Sequence, residues 1–129
     1  MDLTKQERGC WFVTAYAPPG VSMKDANGAI NAFVADARRG LALFHDHFAD
    51  RAGGVAVFAV ETPAELAALK DPGPLGGWDV ALHPLIFAQS ALHFPSQVDF
   101  TMSVYRGRRL RDLMAEYEAS DLARRNDER

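Results

Sequence analysis

Residues 53–87, GGVAVFAVETPAELAALKDPGPLGGWDVALHPLIF, constrain this chain more than any other stretch. Val55 to Val60 is a run of six apolar residues, too short for a good helix and opened by the turn signal Gly53-Gly54. It predicts a strand. Thr62-Pro63 then supplies an N-cap followed by proline at the first helical position, and Glu65 falls where a capping box wants a carboxylate. Leu66 and Leu69 sit three apart, so the short helix has one narrow apolar edge and cannot be stable alone. Asp71-Pro72-Gly73-Pro74 stops it, because neither proline can continue the ladder. After Gly76-Gly77, residues 78–87 form a second apolar run, interrupted by Asp79 and His83. The stretch reads strand, helix, loop, strand.

The flanks extend this order toward the N-terminus. Residues 10–17, CWFVTAYA, predict an interior strand with apolar residues on both faces, Phe12 and Tyr16 on one and Trp11 and Val13 on the other. Pro18-Pro19-Gly20 ends it. A helix follows from about Asp25, with Ser22 or Asp25 as cap and Ile30, Phe33, Val34 and Ala37 at the spacing of one buried stripe. Arg38-Arg39 suits its negative end and Gly40 a left-handed stop. Residues 41–48, LALFHDHF, could continue the helix, but the alternation favours a strand. That strand puts Leu41, Leu43, His45 and His47 on one face and Ala42, Phe44, Asp46 and Phe48 on the other. A loop at 50–54 turns back into Val55.

The order over residues 10–87 is thus β-α-β-β-α-β, the split βαβ or ferredoxin-like arrangement. The expected fold class is α+β, with a four-stranded antiparallel sheet and two helices on one of its faces. The second face is apolar too, more than a monomer usually leaves exposed. Its simplest cover is a second copy of the same sheet, so a homodimer is expected.

At 129 residues the chain predicts a single domain, with a core over 10–90 and an extension over 91–129. In the extension, Val98, Phe100, Met102 and Val104 alternate with Asp99, Thr101, Ser103 and Tyr105, which predicts a further strand. From Arg106 a helix is expected, with Leu110, Leu113, Met114 and Tyr117 on one stripe. Residues 1–8 and the charged tail beyond Ser120 should fray. A net charge of −3 argues against a nucleic-acid partner. No apolar run approaches the roughly 18 residues of a membrane span, and the polar start is not a signal peptide. The single cysteine, Cys10, leaves no internal disulfide and speaks against a cysteine-based zinc site. Cytoplasmic localisation is the expectation.

Chemistry, if present, rests on the histidines. His45 and His47 lie two apart and point the same way on a strand; His83 lies on another strand, with Asp46 and Asp79 as the nearby acids. Two or three histidines could hold a metal, but the spacing is weaker than H-E-x-x-H on a helix, and no metal or other cofactor is expected. A histidine with a carboxylate partner is the better catalytic reading, since the carboxylate would fix its tautomer and raise its basicity. Against it stands the plainer reading of solvated histidines at a strand end. Phe12, Tyr16 and Tyr105 are candidates to line a small-molecule cleft, although tyrosine on a strand is more often a packed residue with a wet tip. Cys10 has only Arg8 nearby to lower its pKa. The arginines at 106, 108, 109 and 111 read as a solvated helix start, since cations gain nothing from that end of the dipole.

The pattern VAVFAVETPAELAAL followed by WDVALHPLIF resembles the dimeric α+β barrel superfamily, which includes YciI-like proteins, muconolactone isomerases and cofactor-free antibiotic-biosynthesis monooxygenases. The resemblance covers residues 10–87 and implies a homodimer with a cleft between sheet and helices. It implies no single reaction, because such folds host many. YciI-like members are thought to use a His–Asp pair, and haem binding has precedent among relatives. Two functions follow as expectations. One is a cofactor-independent isomerase, lyase or monooxygenase acting on a small apolar or aromatic molecule, with His45, His47 or His83 and Asp46 as acid and base. The other is a non-catalytic dimeric module that binds a small ligand or assembles.

Overall fold

The computed structural model describes residues 2–127. The chain divides into two compact units, residues 1–91 and 92–129. The first is an α+β unit built on a four-stranded antiparallel sheet. Its elements are β1 (Gly9–Tyr16), α1 (Met23–Ala35), β2 (Leu41–His47), β3 (Gly53–Val60), α2 (Pro63–Lys70) and β4 (Asp79–Pro84), and the strand order is β2-β3-β1-β4. Every neighbouring pair is antiparallel.

The helices form for the local reasons the sequence offers. Ser22 Oγ accepts from the Asp25 N–H at 3.0 Å, so Ser22 and not Asp25 is the cap of α1. At α2 the Thr62 hydroxyl accepts from the Glu65 N–H, while Glu65 Oε1 accepts from the Thr62 N–H at 3.1 Å. This capping box satisfies donors that the first turn would leave orphaned.

Both helices lie on one face of the sheet. Trp11, Val13 and Ala15 of β1 and Ala56, Phe58 and Val60 of β3 meet Ile30 and Phe33 of α1, Leu66 and Leu69 of α2, and Leu75 from the loop before β4. Phe33 and Phe58 meet edge to face with centroids 5.9 Å apart, a geometry that adds about 1 kcal/mol beyond the burial of the rings. Gly54 brings α1 close: a Cβ there would meet the Asp46 carbonyl oxygen and stand 3.0 Å from Ile30 Cδ1.

Five expectations need correction. First, α1 ends at Ala35, and Asp36 caps a separate 3-10 turn, Ala37–Arg39, by accepting from the Arg38 N–H. Arg39 is 2% exposed, not a solvated cation at a helix end. Gly40, at φ 96° and ψ −169°, is no left-handed helix stop.

Second, β2 carries an irregularity between Ala42 and Phe44. The extra residue shifts the alternation. Ala42 therefore shares the helix-side face with His45 and His47, and Leu41 shares the other with Phe44 and Asp46.

Third, β4 stops at Pro84, short of residue 87. Fourth, residues 2–8 are tied down: Thr4 and Glu7 bond each other, Trp11 Nε1 donates to the Glu7 carbonyl at 2.8 Å, and Leu3 packs on the core.

Fifth, the predicted strand over 98–105 is helix. The second unit is a pair of helices, α3 (His93–Arg106) and α4 (Leu110–Asp127). Pro95 is tolerated in the first turn of α3, and Gly107, at φ 62°, closes it in the left-handed conformation by donating to Met102 and Ser103. Val98, Met102 and Tyr105 have helical spacing as readily as alternating spacing, and the cap decides between them. The Asp99 carboxylate accepts from the Leu110 N–H at 2.7 Å and so caps α4 from across the turn. That helix begins at Leu110, later than Arg106, and runs through the charged segment to Asp127.

Candidate functional site

The sheet separates the histidines. His45 pairs with Ala56 and His47 with Gly54, which places both on the helix-side face of the edge strand β2. His83 pairs with Phe12 and lies on the opposite face. Asp46 and Asp79 also lie on that opposite face, at the levels of Val55 and Tyr16. His45 and His47 stand edge to face at 5.7 Å between centroids. Asp46 spends one carboxylate oxygen on the backbone N–H of His47, at 2.8 Å. Among the described residues no histidine–carboxylate hydrogen bond joins His45, His47 or His83 to Asp46 or Asp79, and the buried Nδ1 of His47 has no partner. No cluster of three His, Cys, Asp or Glu side chains among them could hold a metal ion.

The space between sheet and helices is filled. What remains beneath α1, among Val13, Ile30, Phe33 and Ala56, is a void of about 10 Å³, room for about one water and no substrate. A larger hollow of about 360 Å³ lies beside the end of β4, lined by Lys5, Gln6, Pro84, Leu85, Ile86 and Gln89. No histidine lines it.

The predicted ligand-lining residues also part company. Phe12 and Tyr16 share the sheet face opposite the helices. Tyr16 is engaged there: Phe48 stacks on it at 5.2 Å and the Arg51 guanidinium lies 4.3 Å from its centroid. Tyr105 belongs to α3 in the second unit and is exposed.

The face opposite the helices can be read in rows from the strand register. Phe44, Val57, Phe12 and His83 make one row across β2, β3, β1 and β4. Asp46, Val55, Thr14 and Ala81 make the next, and Gly53, Tyr16 and Asp79 the one beyond. At the other end Leu41 and Ala59 align with Cys10, whose Sγ donates to the Ser90 carbonyl at 3.4 Å. Burial pushes that thiol's pKa up and leaves it an inert packing group. Along β2 the face stays open, with Leu41 59% and Phe44 46% exposed.

The residue that sequence reasoning missed is Arg39, the charged side chain that is fully buried among the described residues. Its guanidinium lies 4.1 Å from the centroid of Phe33 and donates from Nη1 to the Ala68 carbonyl in the last turn of α2 at 3.1 Å. Asp36 stands 3.9 Å away but gives its carboxylate to Arg38 at 2.6 Å. Arg39 therefore clamps α2 to α1. An Arg-Arg pair before a glycine carries no local signal of such burial.

These features define an α+β protein with an open four-stranded antiparallel sheet. None of its described helices is long and apolar enough to cross a membrane. No known protein family, curated protein or solved structure matches the chain.

Proposed function

We propose that the first unit is a ferredoxin-like module of the dimeric α+β barrel kind and that its work is self-association, the sheet of one copy packing on the sheet of another. The strand order β2-β3-β1-β4 with antiparallel neighbours supports the ferredoxin-like reading. The observation that carries the assembly is the face opposite the helices. Its row through Phe44, Val57 and Phe12 is apolar, and its edge strand leaves Leu41 and Phe44 open to solvent. Covering such a face with a copy of itself gives an isologous contact, the commonest form of homodimer.

A catalytic reading has less support: His45 and His47 stand across the sheet from the acids, and His83, on the acids' face, has Asp79 four residues away along β4 and Asp46 on the far edge strand, with no hydrogen bond joining it to either. A general base and its orienting carboxylate must share a site.

Sedimentation equilibrium at micromolar concentration tests the proposal. The wild-type chain should sediment as an oligomer, and Phe44→Asp, which would bury a charge in the contact, should lower its mass. Phe44 is half exposed, so the fold of one copy does not rest on it, and an unchanged circular dichroism spectrum would verify that. A variant with undiminished mass would sink the sheet-to-sheet contact.

A further inference from the structure

The hollow beside the end of β4 runs against the charge of the chain. Asp and Glu outnumber Lys and Arg by 17 to 14 overall, yet no acid lines this space of about 360 Å³. One cation does, Lys5, together with the amides of Gln6 and Gln89 and the apolar side chains of Pro84, Leu85 and Ile86. Among the described residues the Lys5 ammonium has no ion pair or hydrogen bond. Glu7, the nearest acid in sequence, gives its carboxylate to the Thr4 N–H at 3.0 Å.

Both walls of the hollow are tethered to β1. On one side, the Glu7 and Arg8 N–H groups donate to the Thr4 carbonyl at 3.1 and 3.0 Å, which closes the turn that carries Lys5 and Gln6. Trp11 Nε1 ties that turn to the strand through the Glu7 carbonyl. On the other side, the Leu85 N–H donates to the Cys10 carbonyl and the Cys10 N–H donates to the Ala88 carbonyl, each at 2.8 Å. Small-molecule sites have this character: a concave, pre-formed space of a few hundred Å³, apolar over much of its lining, with a few placed polar groups. Walls already fixed lose little freedom when a ligand arrives.

The lining also selects the ligand. A single ammonium balances a single negative charge, whereas a dianion would keep one charge uncompensated, and an amine would meet a like charge. The amides of Gln6 and Gln89 add N–H donors for a second acceptor oxygen. Gln89 Nε2 lies 3.5 Å from the Ile86 carbonyl, which leaves its other N–H to donate. Ile86 is 77% exposed, the most of any large apolar side chain in the first unit, so an apolar tail would take it out of water.

We infer that this hollow is a binding site for a small monocarboxylic acid with an aliphatic tail. Lys5 Nζ and the two glutamine amides hold the carboxylate, and Pro84, Leu85 and Ile86 receive the tail. The site uses none of the sheet residues on which the proposed function rests.

Octanoate at millimolar concentration is the probe, titrated into the full chain by calorimetry, with amide NMR shifts to place it. The site predicts saturable binding, shifts centred on residues 5–6 and 84–89, and weaker binding of octanol, which has the same tail without the charge. Lys5→Met should weaken octanoate about fivefold, the effect of one partly exposed ion pair. Lys5→Glu should abolish it and give measurable affinity for octylammonium. Ile86→Ser should weaken octanoate and octanol alike. Lys5 and Ile86 are exposed, so these variants should fold, and circular dichroism checks this.

No binding of octanoate to the wild-type chain overturns the inference, and so does octanol binding as tightly as octanoate, a comparison that needs no variant. Shifts centred on Leu41 and Phe44 overturn it too, because the tail would then be lying on the open sheet face. Phe44→Asp should leave octanoate affinity unchanged whether or not it lowers the sedimenting mass, so the site and the sheet contact stand or fall separately.

Discussion

Truncation of Arg39 is the sharpest probe of what holds the first unit together. In Arg39→Ala the chain loses a hydrogen bond from a charged donor to the Ala68 carbonyl, at 3.1 Å, an interaction of about 1.5–3 kcal/mol. It loses a desolvated cation–π contact with Phe33, at 4.1 Å, of about 2 kcal/mol. It also leaves a void where the aliphatic stem packed. Against these losses stands the desolvation cost of the guanidinium, several kcal/mol for a buried ion. That cost is poorly offset in the native chain, since Asp36 is 3.9 Å away and Nε has no partner. The net expectation is a loss of about 3 kcal/mol.

Arg39→Met separates packing from charge. It keeps the volume, removes the buried ion, and leaves the Ala68 carbonyl with the Asp71 N–H it already accepts at 3.2 Å. Its expected cost is under about 1 kcal/mol. Urea titration with a common slope measures both values, and at about 4–8 °C per kcal/mol the alanine variant should melt about 8–16 °C below the methionine one. Equal losses for the two would refute the argument, because the charge and its bonds would then outweigh the space it fills.

Two further outcomes follow from the same corner of the fold. Gly73 has φ +49°, and a Cβ there would lie 2.6 Å from Arg39 Nη2, so Gly73→Ala should cost about 2 kcal/mol, from left-handed strain and displacement of the guanidinium. Part of that loss should vanish in an Arg39→Met background, a coupling that a double-mutant cycle reads directly. Asp36 is held below the ordinary carboxylate value of 3.8, first by the side-chain hydrogen bond from Arg38 and then by the Arg38 backbone N–H. A depressed folded-state pKa stabilises the fold above the unfolded value and is lost as pH falls through the folded one. Melting temperature should therefore drop on acidification below about pH 4, and Asp36→Asn should shrink that drop while keeping an acceptor for the turn.

Legibility followed the range of the interaction responsible. Thr62, Pro63 and Glu65 announce α2 because a capping box is completed within four residues. Ser22 and Asp25 announce the start of α1 in the same way, although only the structure chooses between them. The candidate site was less legible. His45 and His47 were correctly expected to share a face, since alternation is local. Alternation also puts Asp46, which lies between them, on the other face, whereas their separation from His83 and Asp79 follows from the register of β2, which the irregularity after Ala42 resets. The stretch 98–105 satisfied two periods at once, and the deciding groups were Gly107 at the end of the helix and Leu110, whose N–H takes Asp99 as its cap.

The sequence alone determined the order of the four strands and two α-helices from residue 10 to residue 84, because backbone preference and capping act between near neighbours. Only the tertiary structure decided which side of the sheet each histidine occupies, that Arg39 is a buried clamp, and that the space beneath α1 is filled by side chains. Those outcomes depend on which distant segments meet, and in particular on Phe33, Ala68 and Gly73 converging around one guanidinium.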